Sequence, residues 1–392
     1  LHNQLERFEP GSFEALMRFL ADGHKRYTQS LDKFVGRNFY HLLEFFSPIN
    51  LPLLFQLKPL VRHYAEISRH FKDSRLRAGL SFQNMCLGLS PYDAPATYTL
   101  LQYTEMVEGV WYPKQGMYAI ITSLTEIAEG FGAEFHYNEP VARIEVDDDR
   151  ATGVTLESGE TISADIIVAN ADLPYVYTRL LPDPGKRSAN RMDSLKYTSS
   201  TLMFYWGLKG ERSDKLLHHN VFLSDHIYKR SFNEIFKEHT LPAEPSFYIH
   251  APVRTVPEFA PEDGDALMVL VPTGHIDASQ SQDWEGMQAR ARTWVFQRLA
   301  RIGLEDVKER IVFEKTYTPP DYRDIWNLAK GAAFGLSHNV LQVGYLRPQN
   351  RHRHYGNLYF AGASTHPGTG VPIVLLSAKL VEDRIRREQP AP

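Results

Sequence analysis

Cysteine is almost missing from this chain of 392 residues, which contains Cys86 alone. One cysteine excludes an internal disulfide and a cysteine-ligated metal cluster, and it fits a reducing compartment. Because free cysteines commonly behave as small apolar residues, we expect Cys86 to be buried. The sequence also has no HExxH, GxSxG, paired CxxC or P-loop motif. It therefore gives no signal for a zinc protease, a serine hydrolase or a P-loop enzyme.

Strong net charge and long apolar runs are absent as well. The formal net charge is −4, so composition does not indicate nucleic-acid binding. No apolar run reaches the roughly 20 residues that span a bilayer. The nearest is the stretch 39–60, which Glu44, Pro48, Pro52 and Lys58 interrupt. Such a stretch predicts either two core-facing helices around a proline turn or a segment in the membrane interface.

A third absence concerns the usual motifs for nucleotides and metals. No GxGxxG occurs, and the nearest string begins at Gly368 but lacks the third glycine and the acidic residue expected about 20 positions later. The histidines at 218–219 and at 352 and 354 lack the spacing of metal ligands on a helix. We predict that they are exposed polar residues, and we predict no metal site.

The most informative segment lies near the C-terminus, where an apolar strand is followed by a glycine-rich loop and a helix. Residues 358–361 are apolar, which predicts a strand. Gly368 and Gly370 permit backbone angles closed to other residues and allow a ligand to approach the main chain. Pro372 suits the first turn of the helix predicted at 373–387. The N-terminus of that helix would favour a phosphate or an anionic flavin ring.

This segment resembles the C-terminal FAD-binding signature of the carotenoid (phytoene) desaturase family, in which a strand ending Ala-Gly leads into a His-Pro-Gly-x-Gly-x-Pro loop. Segments 90–95, 108–113 and 140–144 fall in the same order as in that family. The resemblance implies an α/β flavoprotein with two dinucleotide-binding domains, similar to amine oxidases, and a mixed helical and antiparallel-sheet substrate domain. Because GxGxxG is absent, we expect the first βαβ unit, which holds the ADP half of FAD, to be missing.

The resemblance also implies which residues contact FAD. The backbone of Val141 would meet the adenine, and the segment 111–117 would lie beside the flavin ring, although Gln115 replaces a glycine of the family pattern. Trp111 and Tyr112 are candidates either to line an apolar substrate tunnel or to belong to the core. The full set of implied cofactor contacts is Gly116, Met117, Val141, Gly362, Ala363, Thr365, His366, Pro367, Gly368, Thr369, Gly370, Val371 and Pro372.

No catalytic acid or base is assigned from the sequence. His366 is a flavin neighbour, a base or a packing residue, and we do not assign it proton transfer. Asn170 and Asp172 follow a predicted buried strand, so they either lie near the cofactor or cap the next helix.

Hydrophobic periodicity predicts the order of elements. Helices are predicted at 14–27, 117–131, 284–302 and 373–387, and strands at 133–137, 141–146, 151–156, 166–169, 201–208, 246–250, 266–272 and 358–361, with a hairpin turn at Ser158-Gly159. With the resemblance, this order predicts a helical substrate and membrane-associated region at 1–110, FAD-binding parts at 111–180 and 335–392, and a substrate domain at 181–334.

The implied function is FAD-dependent desaturation of a carotenoid precursor, from phytoene to neurosporene- or lycopene-type products, by hydride transfer to flavin N5. No side chain is a hydride acceptor of the required strength, so a cofactor must carry this chemistry. The implied setting is a cytoplasmic protein held peripherally on a membrane, with a carotenoid as substrate. Four alternatives stay open: a related ketolase or isomerase, a retinol saturase, a flavin amine oxidase, and a cofactor-free lipid-escort protein of the same fold.

Overall fold

The computed structural model describes residues 1–48, 50–182, 185–224 and 227–389, with the side chains of Leu51, Leu54 and residues 185–189 left out. Its α-helices are α1 (His2–Phe8), α2 (Ser12–Ser30), α3 (Leu42–Phe45), α4 (Leu51–Leu57), α5 (His63–His70), α6 (Ser74–Ser81), α7 (Thr99–Tyr103), α8 (Tyr118–Gly130), α9 (Leu173–Tyr175), α10 (Gly185–Ser194), α11 (Tyr228–Phe236), α12 (Trp284–Ala300), α13 (Val307–Arg310), α14 (Pro319–Trp326) and α15 (Val371–Glu388). Its strands are β1 (Val141–Asp147), β2 (Arg150–Leu156), β3 (Thr161–Ser163), β4 (Ile167–Ala169), β5 (Ser200–Lys209), β6 (His219–Phe222), β7 (Phe247–His250), β8 (Gly264–Thr273), β9 (Ile311–Tyr317) and β10 (Leu358–Phe360).

The helical first third is built around α2, whose apolar residues recur at helical spacing. Leu16, Phe19 and Leu20 are buried against Ile67 of α5 and Phe71 just after it. A buried ion pair reinforces this contact, because the guanidinium of Arg26 on α2 lies 2.6 Å from the carboxylate of Glu66 on α5. The helices predicted at 14–27, 117–131, 284–302 and 373–387 correspond to α2, α8, α12 and α15.

The stretch 39–60 has an inward and an outward side. Phe39, Phe45 and Leu57 are buried in one cluster with Phe34, as the core-facing interpretation predicts. Other apolar side chains point outward, chiefly Leu43, Phe55 and Leu60, which are 81, 82 and 84 % exposed. Ile49 and the side chains of Leu51 and Leu54 lie outside the described residues. Among the described helices, none combines the length and the apolar character needed to cross a membrane.

A five-stranded antiparallel sheet with the order β6-β7-β8-β5-β9 forms the largest core. Alternate residues of its strands, such as Phe204 and Val269, are buried together with Val295 and Leu299 of α12. The register puts the intervening residues on the other face, where Tyr205 is opposite Met268 and Met203 is opposite Leu270. We call this second side the open face, and its side chains from neighbouring strands include Met203, Tyr205, His219, Tyr248, His250, Met268, Leu270, Lys315 and Tyr317.

Two smaller sheets belong to the other part of the fold. Strands β1, β2 and β3 form an antiparallel meander, and β4 pairs in parallel with β10. Leu358 of β10 is opposite Ile167 of β4, although almost half of the chain separates them. This pairing joins the segments 111–180 and 335–392, as a split FAD-binding domain requires, while the predicted boundaries themselves stay a prediction.

Two local predictions are wrong, and a third is right only in part. Residues 133–137 are not a strand, because they pair with no strand in the described part of the chain and Tyr137 is largely exposed. The hairpin turn at Ser158-Gly159 is confirmed, but the strand that follows it is β3, which has three residues and is too short for periodicity to reveal. Cys86 is exposed rather than buried. The protein packed around its thiol, helped by the charge of Glu105, still raises the pKa of Cys86 to about 11.

Candidate functional site

The loop between β10 and α15 adopts backbone angles that favour glycine. Gly362, Gly368 and Gly370 have φ values of 131°, 148° and 112°. At Gly368 an added side chain would collide with the ring of His338. At Gly370 the nearest atom to an added Cβ is 3.7 Å away, so only the backbone angle opposes substitution there. The space beside Gly370 therefore lets a ligand approach the main chain closely.

The N-terminus of α15 opens onto this space with unused hydrogen-bond donors. The N–H groups of Gly370, Val371 and Ile373 have no acceptor in the described part of the chain. No side chain caps the helix, and proline occupies its first turn as predicted. Free N–H groups and the positive end of an 18-residue helix attract negative charge.

Arg347 binds the main chain of the loop from the interior of the protein. Its guanidinium is almost fully buried and donates to five main-chain carbonyl groups. The bonds to Thr365 and Ser337 measure 2.8 and 3.0 Å, and the remaining acceptors are the carbonyls of Leu336, Gln342 and Ala363. Burial lowers the pKa of Arg347 to about 10, so the group stays charged at neutral pH. Nothing in the local sequence distinguished this arginine.

The polar side chains within the loop are directed into the protein. Thr365 Oγ1 donates to the carbonyl of Gly362 at 3.1 Å. The carbonyl of His366 accepts from Asn350 Nδ2 and from Ser377 Oγ. His366 Nε2 lies 3.0 Å from a main-chain oxygen, and burial lowers the pKa of His366 to about 4. These contacts leave the main chain of the loop, more than its side chains, to face a cofactor.

Two residues at the end of β4 tie that strand to the loop. Asn170 Nδ2 donates to the carbonyl of Ala361 at 2.9 Å. Asp172 accepts from the hydroxyl of Ser364 and, at 3.0 Å, from the N–H of Ala329. Asp172 makes no side-chain cap to α9, so the capping interpretation is wrong for it. Burial raises the pKa of the Asp172 carboxyl, against the opposing hydrogen bond from Ser364.

The segment 111–117 lies against the large sheet and not beside the loop 362–372. Trp111 is 89 % exposed, whereas the ring of Tyr112 is half-buried and lies about 5 Å from the rings of His218 and His250. Gly116 has a φ of 86° and Met117 directly precedes α8. Among the described residues, no hydrogen bond joins this segment to the loop 362–372. Val141, the remaining implied contact, begins β1 and is half-buried.

The histidines at 218 and 219 belong to a cluster, and His219 is exposed as predicted whereas His218 is half-buried. They meet His250 on the neighbouring strand, with His218 Nε2 and His250 Nε2 2.8 Å apart. Loss of water, followed by the neighbouring charges of His218 and His219, lowers the pKa of His250 to about 4. The sequence could not reveal this cluster, because His250 is about 30 positions away and joins it only through strand pairing.

Comparison with known proteins identifies the family. The model of flavin containing amine oxidoreductases matches residues 2–385. A zeta-carotene-forming phytoene desaturase of Myxococcus xanthus is 47 % identical, over 97 % of this chain and 73 % of its own length. This chain belongs to the carotenoid desaturases. A phytoene desaturase of Phycomyces blakesleeanus is 42 % identical, over 97 % of this chain and 67 % of the relative.

Solved structures with a similar fold are known for this desaturase. A putrescine oxidase bound to putrescine has a TM-score of 0.59 at 14 % identity, covering 97 % of this chain and 76 % of the oxidase. An oxidoreductase from Methanosarcina mazei has a TM-score of 0.53 at 17 % identity, with coverages of 86 and 72 %. The predicted amine oxidase type of fold is therefore confirmed. FAD is the cofactor that the family indicates, and the free N–H groups beside Gly370 fit its anionic parts.

Proposed function

We propose that this chain removes hydrogen from phytoene, a carotenoid precursor, with FAD as the acceptor. The observation that carries the proposal is the 47 % identity to a phytoene desaturase along almost the whole chain. The similarity to putrescine oxidase is at 14 % identity and supports the fold alone. It is therefore no argument for an amine substrate.

The residues of this chain divide the task between loop and sheet. FAD, when bound, supplies the two-electron acceptor that side chains lack. Arg347 fixes the main chain of the loop, and the N-terminus of α15 favours negative charge on the adjoining cofactor. The open face offers Tyr205, Met268 and Leu270 to an extended hydrocarbon. Such a surface orients an apolar chain and excludes water without needing polar partners.

The outward side of residues 42–60 supports a peripheral attachment to membranes. Leu43, Phe55 and Leu60 project from short helices and turns that are too brief to span a bilayer. Three large apolar side chains exposed within 18 residues of chain are a candidate interaction surface. Phytoene dissolves in bilayers and not in water, so an enzyme seated on the bilayer surface avoids moving it through water.

The activity is tested with the chain fused to a GxGxxG nucleotide-binding unit, loaded with FAD, and with phytoene carried in liposomes. We expect products with longer conjugation, seen as new visible absorbance, without added metal or nicotinamide. Turnover of an amine in the absence of any pigment would reject the proposal.

The attachment is tested separately by liposome flotation. Leu43→Glu combined with Phe55→Glu should release the protein from liposomes, because two charges would have to enter the interface. Val312→Glu, at an exposed apolar position on β9, is the matched control and should float like the parent. Unchanged flotation of the double variant would assign the outward side of residues 42–60 to another role.

A further inference from the structure

A hydrogen-bonded chain of side chains crosses the edge of the open face. His218 Nδ1 lies 2.5 Å from Thr255 Oγ1, and His218 Nε2 lies 2.8 Å from His250 Nε2. His219 is bound elsewhere, with its Nδ1 2.6 Å from the hydroxyl of Tyr248. The first three groups therefore form one line, Thr255 to His218 to His250.

The contact of Thr255 with the carbonyl of Pro252 indicates which atom donates in each hydrogen bond of this line. Thr255 Oγ1 has an acceptor for its hydrogen in the carbonyl of Pro252 at 3.3 Å, which leaves its lone pairs to accept from His218 Nδ1. A neutral His218 with its proton on Nδ1 must then accept at Nε2, which makes His250 Nε2 the donor. His250 Nδ1 is left with a lone pair. In the described part of the chain no group donates to that nitrogen, and it is not enclosed.

The free nitrogen belongs to a residue of the open face. His250 is opposite Met268, which is in turn opposite Tyr205, so the imidazole continues the row of apolar side chains. On its other side lies the ring of Tyr112, 5.2 Å away, in the segment that the family places beside the flavin. A base here would lie at the edge of the surface offered to the hydrocarbon.

We propose that His250 Nδ1 accepts the proton that the substrate loses during desaturation, with His218 and Thr255 as positioning residues. This inference rests on the proposed function. FAD, when bound, would accept one hydrogen of the substrate as hydride, together with the electron pair of the broken C–H bond. At the adjacent carbon the proton goes to His250 Nδ1, and the electron pair of that C–H bond becomes the new π bond.

A neutral imidazole is adequate for this step. Departure of hydride leaves positive character on the first carbon, which makes the neighbouring C–H acidic, so a strong base is not required. Burial and the neighbouring histidines lower the pKa of His250 to about 4, so it is neutral at pH 7. The other titratable groups near this point are His219, Tyr248 and Tyr112, and Glu105 and Cys86 lie close enough to act on Tyr248.

The first test reads the protons directly and needs no turnover. In protein labelled with ¹⁵N at histidine, we expect His250 as the Nε2–H tautomer and His218 as the Nδ1–H tautomer, both neutral at pH 7. A His250 that carries its proton on Nδ1 would overturn the proposal, because that nitrogen could then accept nothing.

The second test removes the base from the FAD-loaded enzyme. His250→Gln should lower kcat by about 10²- to 10⁴-fold, the usual contribution of a general base, with KM within about twofold and flavin absorbance retained. His354→Gln, at an exposed histidine remote in sequence, should leave kcat unchanged. A comparable loss in Glu105→Gln, with His250→Gln unaffected, would assign the proton to Glu105 and reject His250.

Two further comparisons keep the inference separable from the proposed function. Thr255→Val leaves both histidines in place but frees the ring of His218, so it should reduce kcat, and restoration by Thr255→Ser should follow. It also tests the chain of bonds if His250→Gln fails to fold. If the parent enzyme does not act on phytoene, the proposed function fails. If the parent acts and His250→Gln acts equally well, only the role of His250 fails.

Discussion

Gly370 shows how one residue can decide whether the cofactor loop works. Its φ of 112° is costly for any side chain and most costly for a branched one, although no atom blocks the space beside it. In a chain fused to a GxGxxG nucleotide-binding unit, Gly370→Val should therefore abolish FAD retention by distorting the start of α15. The measurement is flavin absorbance of the protein after gel filtration.

The control for this change is Gly356→Ala. Gly356 also has no atom close to an added Cβ, but its φ is not positive, so the variant should retain FAD. Equal flavin content in both variants would mean that the backbone of the loop does not approach the cofactor.

Arg347 carries the second prediction at this scale. Arg347→Met would leave five buried carbonyl groups without their charged donor. Because hydrogen bonds to charged groups are worth more than neutral ones, we expect the free energy of unfolding to fall by about 3–5 kcal/mol. Urea unfolding followed by fluorescence measures this. Arg353→Met, at an exposed arginine, should change it by less than about 0.5 kcal/mol. Similar curves for both variants would contradict the role of Arg347.

The sequence predicted the loop 362–372 but not the residues that hold its main chain in place. Gly368 and Gly370 form a pattern because turns demand glycine, and Pro372 marks the start of a helix. Arg347 and Asn350 bind main-chain atoms contributed by distant segments, and an arginine or asparagine with that role looks like any other in the sequence. Such contacts depend on how the segments meet, which periodicity does not specify.

Among the elements, α2 and α5 are joined by a charge cluster that makes stability depend on pH. Burial alone would raise the pKa of Glu66, but bonds from Lys58 and Arg26 outweigh it and lower that pKa to about 2. The folded pKa thus lies below the unfolded value. The stabilisation is complete above about pH 4.5 and is lost as the pH falls toward 2.

Glu66→Gln tests this cluster. At pH 7 the variant should unfold with a free energy lower by on the order of 3 kcal/mol, because Arg26 remains buried without its partner. At pH 3 the difference from the parent should be smaller. Glu14→Gln, in an exposed pair on the same α2 helix, serves as control and should be nearly neutral at both pH values. A difference that does not change with pH would show that the carboxylate is not titrating in this range.

Helices and strands with one buried face could be predicted from the sequence. Strands that exist only because a neighbouring strand pairs with them could not. The alternation of β5 and β8 matches a sheet with α12 on one side, so periodicity sufficed. Residues 133–137 have the composition of a strand but no neighbour to pair with, and β3 exists only because β2 lies beside it. Pairing is a property of two segments, and a single segment cannot report it.

For the whole molecule, the prediction concerns the 392-residue chain by itself. It contains no GxGxxG, and the two segments expected around the flavin, 111–117 and 362–372, are not joined by hydrogen bonds. The helix α8, which follows the first of them, exposes Tyr118 and Ile127 and buries none of its residues. We therefore expect weak FAD binding in a titration of this chain. Stoichiometric retention after gel filtration would contradict the expectation.

The parallel pairing of β4 with β10 has a consequence for the order in which the protein matures. The carbonyl that Asn170 binds belongs to a residue 191 positions later, so β4 leaves the ribosome long before its partner is synthesised. Until the segment after β10 is synthesised, Arg347 cannot bind the carbonyl of Thr365, and the N-terminus of α15 beside Gly370 has not formed. The large sheet can form during synthesis, since its strands end at Tyr317. With the cofactor contacts proposed for the loop after β10, FAD binding would wait until residues 358–372 are made, and a chain that ends before them would be a colourless protein with its largest core intact.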